Sequence, residues 1–220
     1  AVELLFDGEV NKFVEIGAGY GNLAHKIKSL HRDKKYIIID LPEVLLTQHY
    51  YLLKNNPNYK VVNLLDTDNL RSFDVDEYDC DFLLIPFQEY QKFDLKFDFI
   101  INNRSLGEMP RKTLEQYFDW IQKNISSNGV FYTVNRYVFT KSKDKNKIKD
   151  YPFDNNWKPI ISQPQWLQTH LHEFLIQRDK KTDIPFSFLL KSFPISTPPP
   201  GPVMENIQTQ AEWFKQQGIK

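Results

Sequence analysis

Cysteine is nearly absent from this chain: among its 220 residues only Cys80 carries a thiol. No internal disulfide can form, so the small stapled scaffolds of secreted proteins are excluded and a reducing compartment fits. An excess of charge of either sign is missing too, because 28 Lys and Arg balance 28 Asp and Glu. Without a net basic field the chain has no general means of recruiting nucleic acid or anionic lipid. No apolar run approaches the roughly 20 residues that cross a bilayer, and no signal peptide is visible. Internal repeats are also lacking. These absences leave a cytoplasmic protein without a membrane span and without a nucleic-acid partner. Nothing in the sequence sets an oligomeric state.

What is there is patterned as α/β, and 220 residues suffice to bury a full core. Lys12–Ile16 is a short apolar-rich strand running into glycines, followed by an amphipathic helix over Asn22–Leu30. Tyr36–Ile39 is a β-branched run suited to a strand buried on both faces, ending at Asp40-Leu41-Pro42. Pro42 then sits well at the first turn of a helix over Glu43–Asn55. Strand and helix alternating at this spacing predict a doubly wound sheet. Val61–Leu65 and Phe82–Ile85 compete for the third strand, with the acidic, loop-like Asp66–Asp81 between them. Phe97–Asn102 and Val130–Val134 read as further strands. The face formed by Leu114, Tyr117, Phe118, Ile121 and Ile125 predicts a helix stopping near Asn128-Gly129. Glu173–Arg178 and Phe186–Lys191 read as an antiparallel pair.

The expected fold is therefore a Rossmann-like doubly wound sheet, mostly parallel, with a C-terminal antiparallel strand pair. It occupies residues 1–195. Residues 196–220 form a separate tail: Pro198–Pro202 is a stiff break, and Val203, Ile207, Ala211 and Phe214 recur beyond it at helical spacing. That tail docks on its own domain or on a partner. Lys141–Asp150, with five lysines and two aspartates, reads as a solvated loop or as a lid over an anionic substrate. The chain starts at Ala1, about ten residues before the first strand pattern. A helical region is expected upstream, and part of the substrate site with it.

The chemistry concentrates where the first strand meets the first helix. Gly17, Gly19 and Gly21 lie where the chain must turn tightly and let a ligand approach its backbone. Dinucleotide dehydrogenases space their glycines as Gly-x-Gly-x-x-Gly. Here the third glycine comes one residue earlier, Asn22 stands in its place, and Glu15 precedes the first glycine by two. Glu15-Ile16-Gly17-Ala18-Gly19-Tyr20-Gly21 resembles motif I of S-adenosylmethionine (SAM)-dependent methyltransferases of class I. SAM has no pyrophosphate for a helix N-terminus to hold, but it carries a sulfonium and an amino-acid moiety that an acid at a strand end suits. Asp40, 19 residues after Gly21, ends the second strand, where an acid accepts hydrogen bonds from ribose hydroxyls. Its plainer reading is a helix N-cap.

The wider pattern resembles a bacterial family of sugar O-methyltransferases. The resemblance rests on Phe13–Ala24, Ile39–Val44, Tyr50–Leu52, Phe97–Met109, Tyr117-Phe118, Gly129–Tyr132 and Asn135-Arg136. It covers residues 12–137, with a weaker likeness over Tyr151–Asn156. It implies SAM as cofactor, held by Glu15, Gly17, Ala18, Gly19, Gly21, Asp40 and Leu41. Gln88 takes the adenine side, or Asp66 if Val61–Leu65 is the third strand, and Asn102-Asn103 lies beside the methyl donor. The implied substrate is a small molecule or glycan.

A sugar hydroxyl is a weak nucleophile near neutral pH, so a general base helps its methylation. Glu108, just after the fourth strand, is the candidate, against the alternative of a surface or helix-starting glutamate before Pro110. Asn103, Arg104, Ser105, Asn135 and Arg136 are candidates for binding sugar hydroxyls or a carrier phosphate, and for Arg136 a structural ion pair competes. His170 and His172 point to one strand face if the strand reaches them. With no third ligand at a persuasive spacing, no metal site is assigned. Methylation of another small molecule, a nicotinamide-dependent oxidoreductase and a non-catalytic SAM-binding module stay open as alternatives.

Overall fold

A nearly all-apolar run needs apolar cover on both sides, and strand β2 (Lys35–Asp40) finds it in the middle of a parallel sheet, with Tyr36–Ile39 fully buried. The computed structural model describes residues 10–140, 144, 146–165, 168–178, 185–191 and 193. Strand β1 (Lys12–Ile16) leads into helix α1 (Asn22–Leu30), and β2 leads into α2 (Pro42–Asn55). Strands β3 (Val61–Asn63), β4 (Phe82–Pro86) and β5 (Phe97–Asn103) follow. After helix α3 (Arg111–Asn124) come β6 (Ile125–Arg136), β7 (Trp157–Pro164), β8 (Leu171–Arg178) and the short helix α4 (Phe186–Lys191).

The eight strands form one sheet in the order β3-β4-β2-β1-β5-β6-β8-β7. Strands β1 to β6 run parallel, while β8 pairs antiparallel with both β6 and β7. From β1 the chain first builds outward through β2, then crosses back to lay β5 on the other side of β1. The carboxyl ends of β1 and β5 therefore flank the point where strand order reverses, the place where open α/β sheets bind ligands. Alternate residues face opposite ways. Phe13, Tyr36, Ile38, Phe99 and Ile101 pack with Leu45 and Leu52 of α2 on one face. Val14, Ile16, Ile37, Ile39 and Ile100 pack on the other face with Leu114, Phe118 and Ile121 of α3.

Three expectations need correction. Phe186–Lys191 is a helix, not a strand: Phe186 and Leu190, one helical turn apart, are buried, whereas Phe188 is 68% exposed. The place beside β8 belongs to Trp157–Pro164, whose Pro159 and Pro164 are tolerated because β7 is the edge strand. Asn128-Gly129 does not end a helix. Helix α3 stops at Asn124, and Asn128, at φ +65°, lies in an irregular stretch of β6 where the register against β5 shifts. Val61 and Phe82 were rivals for one position, yet both start strands; β4 lies against β2, and β3 lies outside it. The tail beyond residue 195 lies outside the described residues, as does part of the lysine-rich stretch. Within that stretch Lys147 bridges to Val138 and Ile148–Asp150 form a single turn.

Among the described residues no helix is long and apolar enough to cross a membrane.

Candidate active site

The glycine loop closes over the end of β1 through backbone constraints that explain its composition. Gly17, Gly19 and Gly21 have φ of +72°, +59° and +95°, a region that side chains with a Cβ avoid. The Gly17 N–H donates to Ile39 O at 3.0 Å and the Gly21 N–H to Ala18 O at 3.0 Å, and Gly21 caps α1. The three glycines serve different ends. A Cβ on Gly17 would stand 2.2 Å from Ser105 Oγ, so this glycine admits the turn after β5. Among the described residues a Cβ on Gly19 would meet nothing within 4 Å, so the loop there faces open space.

Asp40 is tied to that loop. Its Oδ2 accepts the Ala18 N–H at 3.0 Å and Gln48 Nε2 at 2.6 Å, and its Oδ1 accepts the Leu41 N–H at 2.8 Å. Gln48 also donates to Gly19 O at 2.9 Å. Burial raises the Asp40 carboxyl above its ordinary value, against the lowering effect of these donors. Gln48 is fully buried, and among the described residues its Oε1 has no hydrogen-bond partner. Gln48 is not among the residues the motif singles out, yet the sequence carries a signal for this clamp: Leu45, Gln48 and Leu52 form the buried stripe of α2, and a glutamine among leucines there needs a polar reason.

Glu15 lies on the sheet face that α2 covers, in register with Ile38, buried, and accepts the Tyr36 hydroxyl at 2.8 Å. Burial pushes its carboxyl up to about 7; the Tyr36 hydrogen bond opposes the rise and the charge of Asp40 adds to it. A raised acid contributes stability that is complete below its ordinary value of 4.5 and lost as pH rises through about 7. Glu15→Gln is therefore expected to flatten a decline in stability between pH 5 and 8, worth about 3 kcal/mol at most. Urea unfolding across that range measures it, and an unchanged slope in the variant would refute the assignment.

Two cavities meet over the ends of β1 and β5, sharing Gly17, Gly19, Asn103 and Arg104. The first, about 660 Å³, has Asp40, Leu41, Phe87 and Tyr117 on one side and Ser105 and Glu108 on another. The second, about 510 Å³, reaches down to Glu15 past Ala18 and is closed by Tyr132, Val134 and Leu171. Asp40, Leu41, Gly17, Gly19, Asn103, Arg104, Ser105 and Glu108 are thus brought to one place. Glu108 is exposed on the turn Leu106–Glu108, fixed by its N–H to Ser105 O at 3.0 Å.

Other predicted positions turn elsewhere. Gln88 is exposed, and its neighbour Phe87 takes the place in the first cavity; Asp66 is exposed beyond β3. Asn102 and Asn135 line neither cavity. Asn102 Nδ2 donates to Ile16 O at 2.9 Å and Ser105 Oγ at 2.5 Å, and its Oδ1 accepts Asn135 Nδ2 at 2.8 Å. Asn135 also donates to Thr133 Oγ1 at 2.7 Å and accepts the Gly107 N–H at 3.3 Å. This buried network stitches β1, β5, β6 and the turn between β5 and α3 together, so both asparagines hold the wall that presents Glu108. Arg136 ends β6 on the exposed side.

The two histidines are not neighbours on one strand. His170 precedes β8, while His172 is buried between Ser162 Oγ at 3.1 Å and Tyr137 Oη at 2.9 Å. Burial lowers the His172 imidazole to about 3. Among the described residues no three His, Cys, Asp or Glu side chains gather as a metal ion would need.

No protein-family model matches the sequence, and no curated protein matches it. Solved structures do. The chain is similar to the mitomycin 7-O-methyltransferase MmcR, at 10% identity and a TM-score of 0.52, over 77% of this chain and 49% of that one. The pyocyanin biosynthetic protein PhzM matches at 12% identity and a TM-score of 0.52, over 80% of this chain and 53% of that one. The StiE O-MT matches at 8% identity and 0.52, over 98% of this chain and 79% of that one. The chain spans about half the length of MmcR and PhzM. At such identities the likeness lies in the fold: an eight-stranded, mostly parallel α/β sheet closed by an antiparallel pair, as in the methyltransferase MmcR.

Proposed function

We propose that this protein is a SAM-dependent O-methyltransferase acting on a hydroxyl of a sugar or glycoconjugate precursor. One observation carries the reading. The Gly17–Gly21 loop, clamped to Asp40 through Ala18 and Gln48, opens into a cavity of about 660 Å³ whose far wall presents Glu108. That volume lies within the range of cofactor sites, about 300 to 1,000 Å³. The similarity of fold to the mitomycin 7-O-methyltransferase MmcR supports methyl transfer to oxygen. The acceptor class rests on the resemblance of segments such as Phe97–Met109 to sugar O-methyltransferases.

The residues fit the donor. Gly19 leaves room beside its backbone, Asp40 is positioned to accept ribose hydroxyls, and Leu41, Phe87 and Tyr117 offer apolar surface to an adenine. Glu15, in the adjoining cavity, suits a cationic amino group. When bound, SAM supplies a methyl group made electrophilic by a positively charged sulfur. The chain's own work is alignment, which can replace much of the entropic part of the barrier. Glu108 takes the proton from the acceptor hydroxyl as its oxygen becomes a nucleophile. Asn102, Asn135 and Ser105 hold the turn that carries Glu108.

Two measurements test this. Calorimetric titration with S-adenosylhomocysteine (SAH) and with NAD separates the donor classes; NAD binding without SAH binding would replace the reading with a nicotinamide oxidoreductase. Labelled SAM incubated with a panel of nucleotide sugars and glycans then reports the acceptor. Asp40→Asn is expected to weaken SAH binding about 10- to 100-fold, as loss of a charged hydrogen-bond acceptor costs about 1.5–3 kcal/mol. Retained affinity would mean that Asp40 only braces the loop.

A further inference from the structure

The wall of the second cavity continues outward as a basic mouth. Tyr132, Val134 and Arg136 share one face of β6, and Arg136 is paired in register with Leu171, the cavity residue next to His170. Arg104 approaches the same place from β5. Its N–H donates to Val134 O at 2.8 Å, and its backbone is held at φ +68°, a left-handed conformation rare for a non-glycine residue and typical of functional sites. Its guanidinium donates to the side-chain carbonyl of Gln168. Burial lowers the His170 imidazole, and the charges of both arginines lower it further, so each guanidinium is within electrostatic reach of His170. Among the described residues neither guanidinium has a carboxylate partner. The nearest acid on that strand face, Glu173, is occupied by Tyr132 Oη at 2.9 Å and Gln163 Nε2 at 3.1 Å.

From this geometry we infer that Arg104, Arg136 and His170 bind a phosphoryl group of the acceptor. Two permanent cations beside an imidazole that can donate an N–H match the several oxygens and charges of a phosphate or diphosphate better than the single charge of a carboxylate. The planar forks of the arginines suit phosphate oxygens. The acceptor is then a phosphorylated or nucleotide-linked molecule, its anion at the mouth and its hydroxyl toward the junction of the two cavities. This assignment rests on the methyl-transfer reading for its acceptor, not for its anion site.

The test is calorimetric titration of the full chain, saturated with SAH, by glucose 1-phosphate, glucuronate and glucose. Glucose 1-phosphate is expected to bind at least roughly tenfold more tightly than the other two, and Arg136→Gln to abolish the difference. SAH affinity of that variant should stay within about twofold, since Arg136 lines neither cavity. Equal binding of the three sugars overturns the inference. So does a loss of SAH affinity in Arg136→Gln, which would give the arginines to the donor's carboxylate. If SAH does not bind at all, the methyl-transfer reading fails, and inorganic pyrophosphate on the free chain decides the anion site. Binding lost in Arg136→Gln upholds it, and no binding to the unmodified chain overturns it.

Discussion

Replacing Glu108 with glutamine is expected to slow methyl transfer by about 10²- to 10⁴-fold while SAH affinity stays within about twofold, the range of a lost general base. The substitution keeps the shape of the side chain and removes its ability to take a proton. Glu108 stands at the end of a turn whose backbone is fixed independently, by Leu106–Glu108 and the Asn102–Asn135 network, so the variant should fold normally. Single-turnover transfer from labelled SAM, with an acceptor identified by the panel above, measures the effect. A rate unchanged by Glu108→Gln would mean that alignment alone drives the reaction. SAM binding with no transfer to any acceptor, in either form, would favour a non-catalytic binding module.

Gly17→Ala should be among the most destabilising single substitutions in the chain, by about 3 kcal/mol or more. Two costs add. A Cβ in the left-handed region costs roughly 1–2 kcal/mol, and overpacking against a fixed neighbour costs about 1–3 kcal/mol. The neighbour is Ser105, whose Oγ and Cβ would lie 2.2 Å and 2.4 Å from the new methyl. Ser105 cannot swing aside without losing its bond to Ile16 O at 3.1 Å. Gly19→Ala carries only the conformational cost, because nothing among the described residues lies within 4 Å. Thermal unfolding should place Gly17→Ala about 6–12 °C below the unmodified chain, at about 2–4 °C per kcal/mol for this size. Adding Ser105→Gly to Gly17→Ala should restore part of the loss. Equal melting temperatures for the two alanine variants would disprove the contact.

These two cases show why some of the site was legible from sequence and some was not. The need for glycine at positions 17, 19 and 21 is local, since a strand turning sharply into a helix demands positive φ. That Gly17 answers to Ser105, 88 positions away, is not local. Nor could spacing reveal that Asn102 and Asn103 point to opposite faces with opposite jobs, one buried in a network and the other in the cavity wall. The same alternation separates Asn135 from Arg136. Which face receives helices and which end opens to a ligand depends on crossover connections that no short window contains.

The sequence by itself determined the parallel α/β core, because uninterrupted runs such as Tyr36–Ile39 are soluble only when both faces are covered, and it marked the glycine loop, Asp40 and Glu108 as candidates that the structure gathers around one cavity. Tertiary structure decided the rest. Trp157–Pro164 is a strand only because β8 offers an edge to it, and Phe186–Lys191 is a helix because Phe186 and Leu190 pack on the core one turn apart. Gln48 ties the loop to Asp40, and Arg104 and Arg136 come to the same end of the sheet only because β5, β6 and β8 lie side by side. The division follows the range of the forces. Backbone sterics and hydrophobic periodicity act over a few residues and can be read along the chain, whereas strand pairing, burial of a lone polar group and the meeting of charges exist only once distant segments are brought into contact.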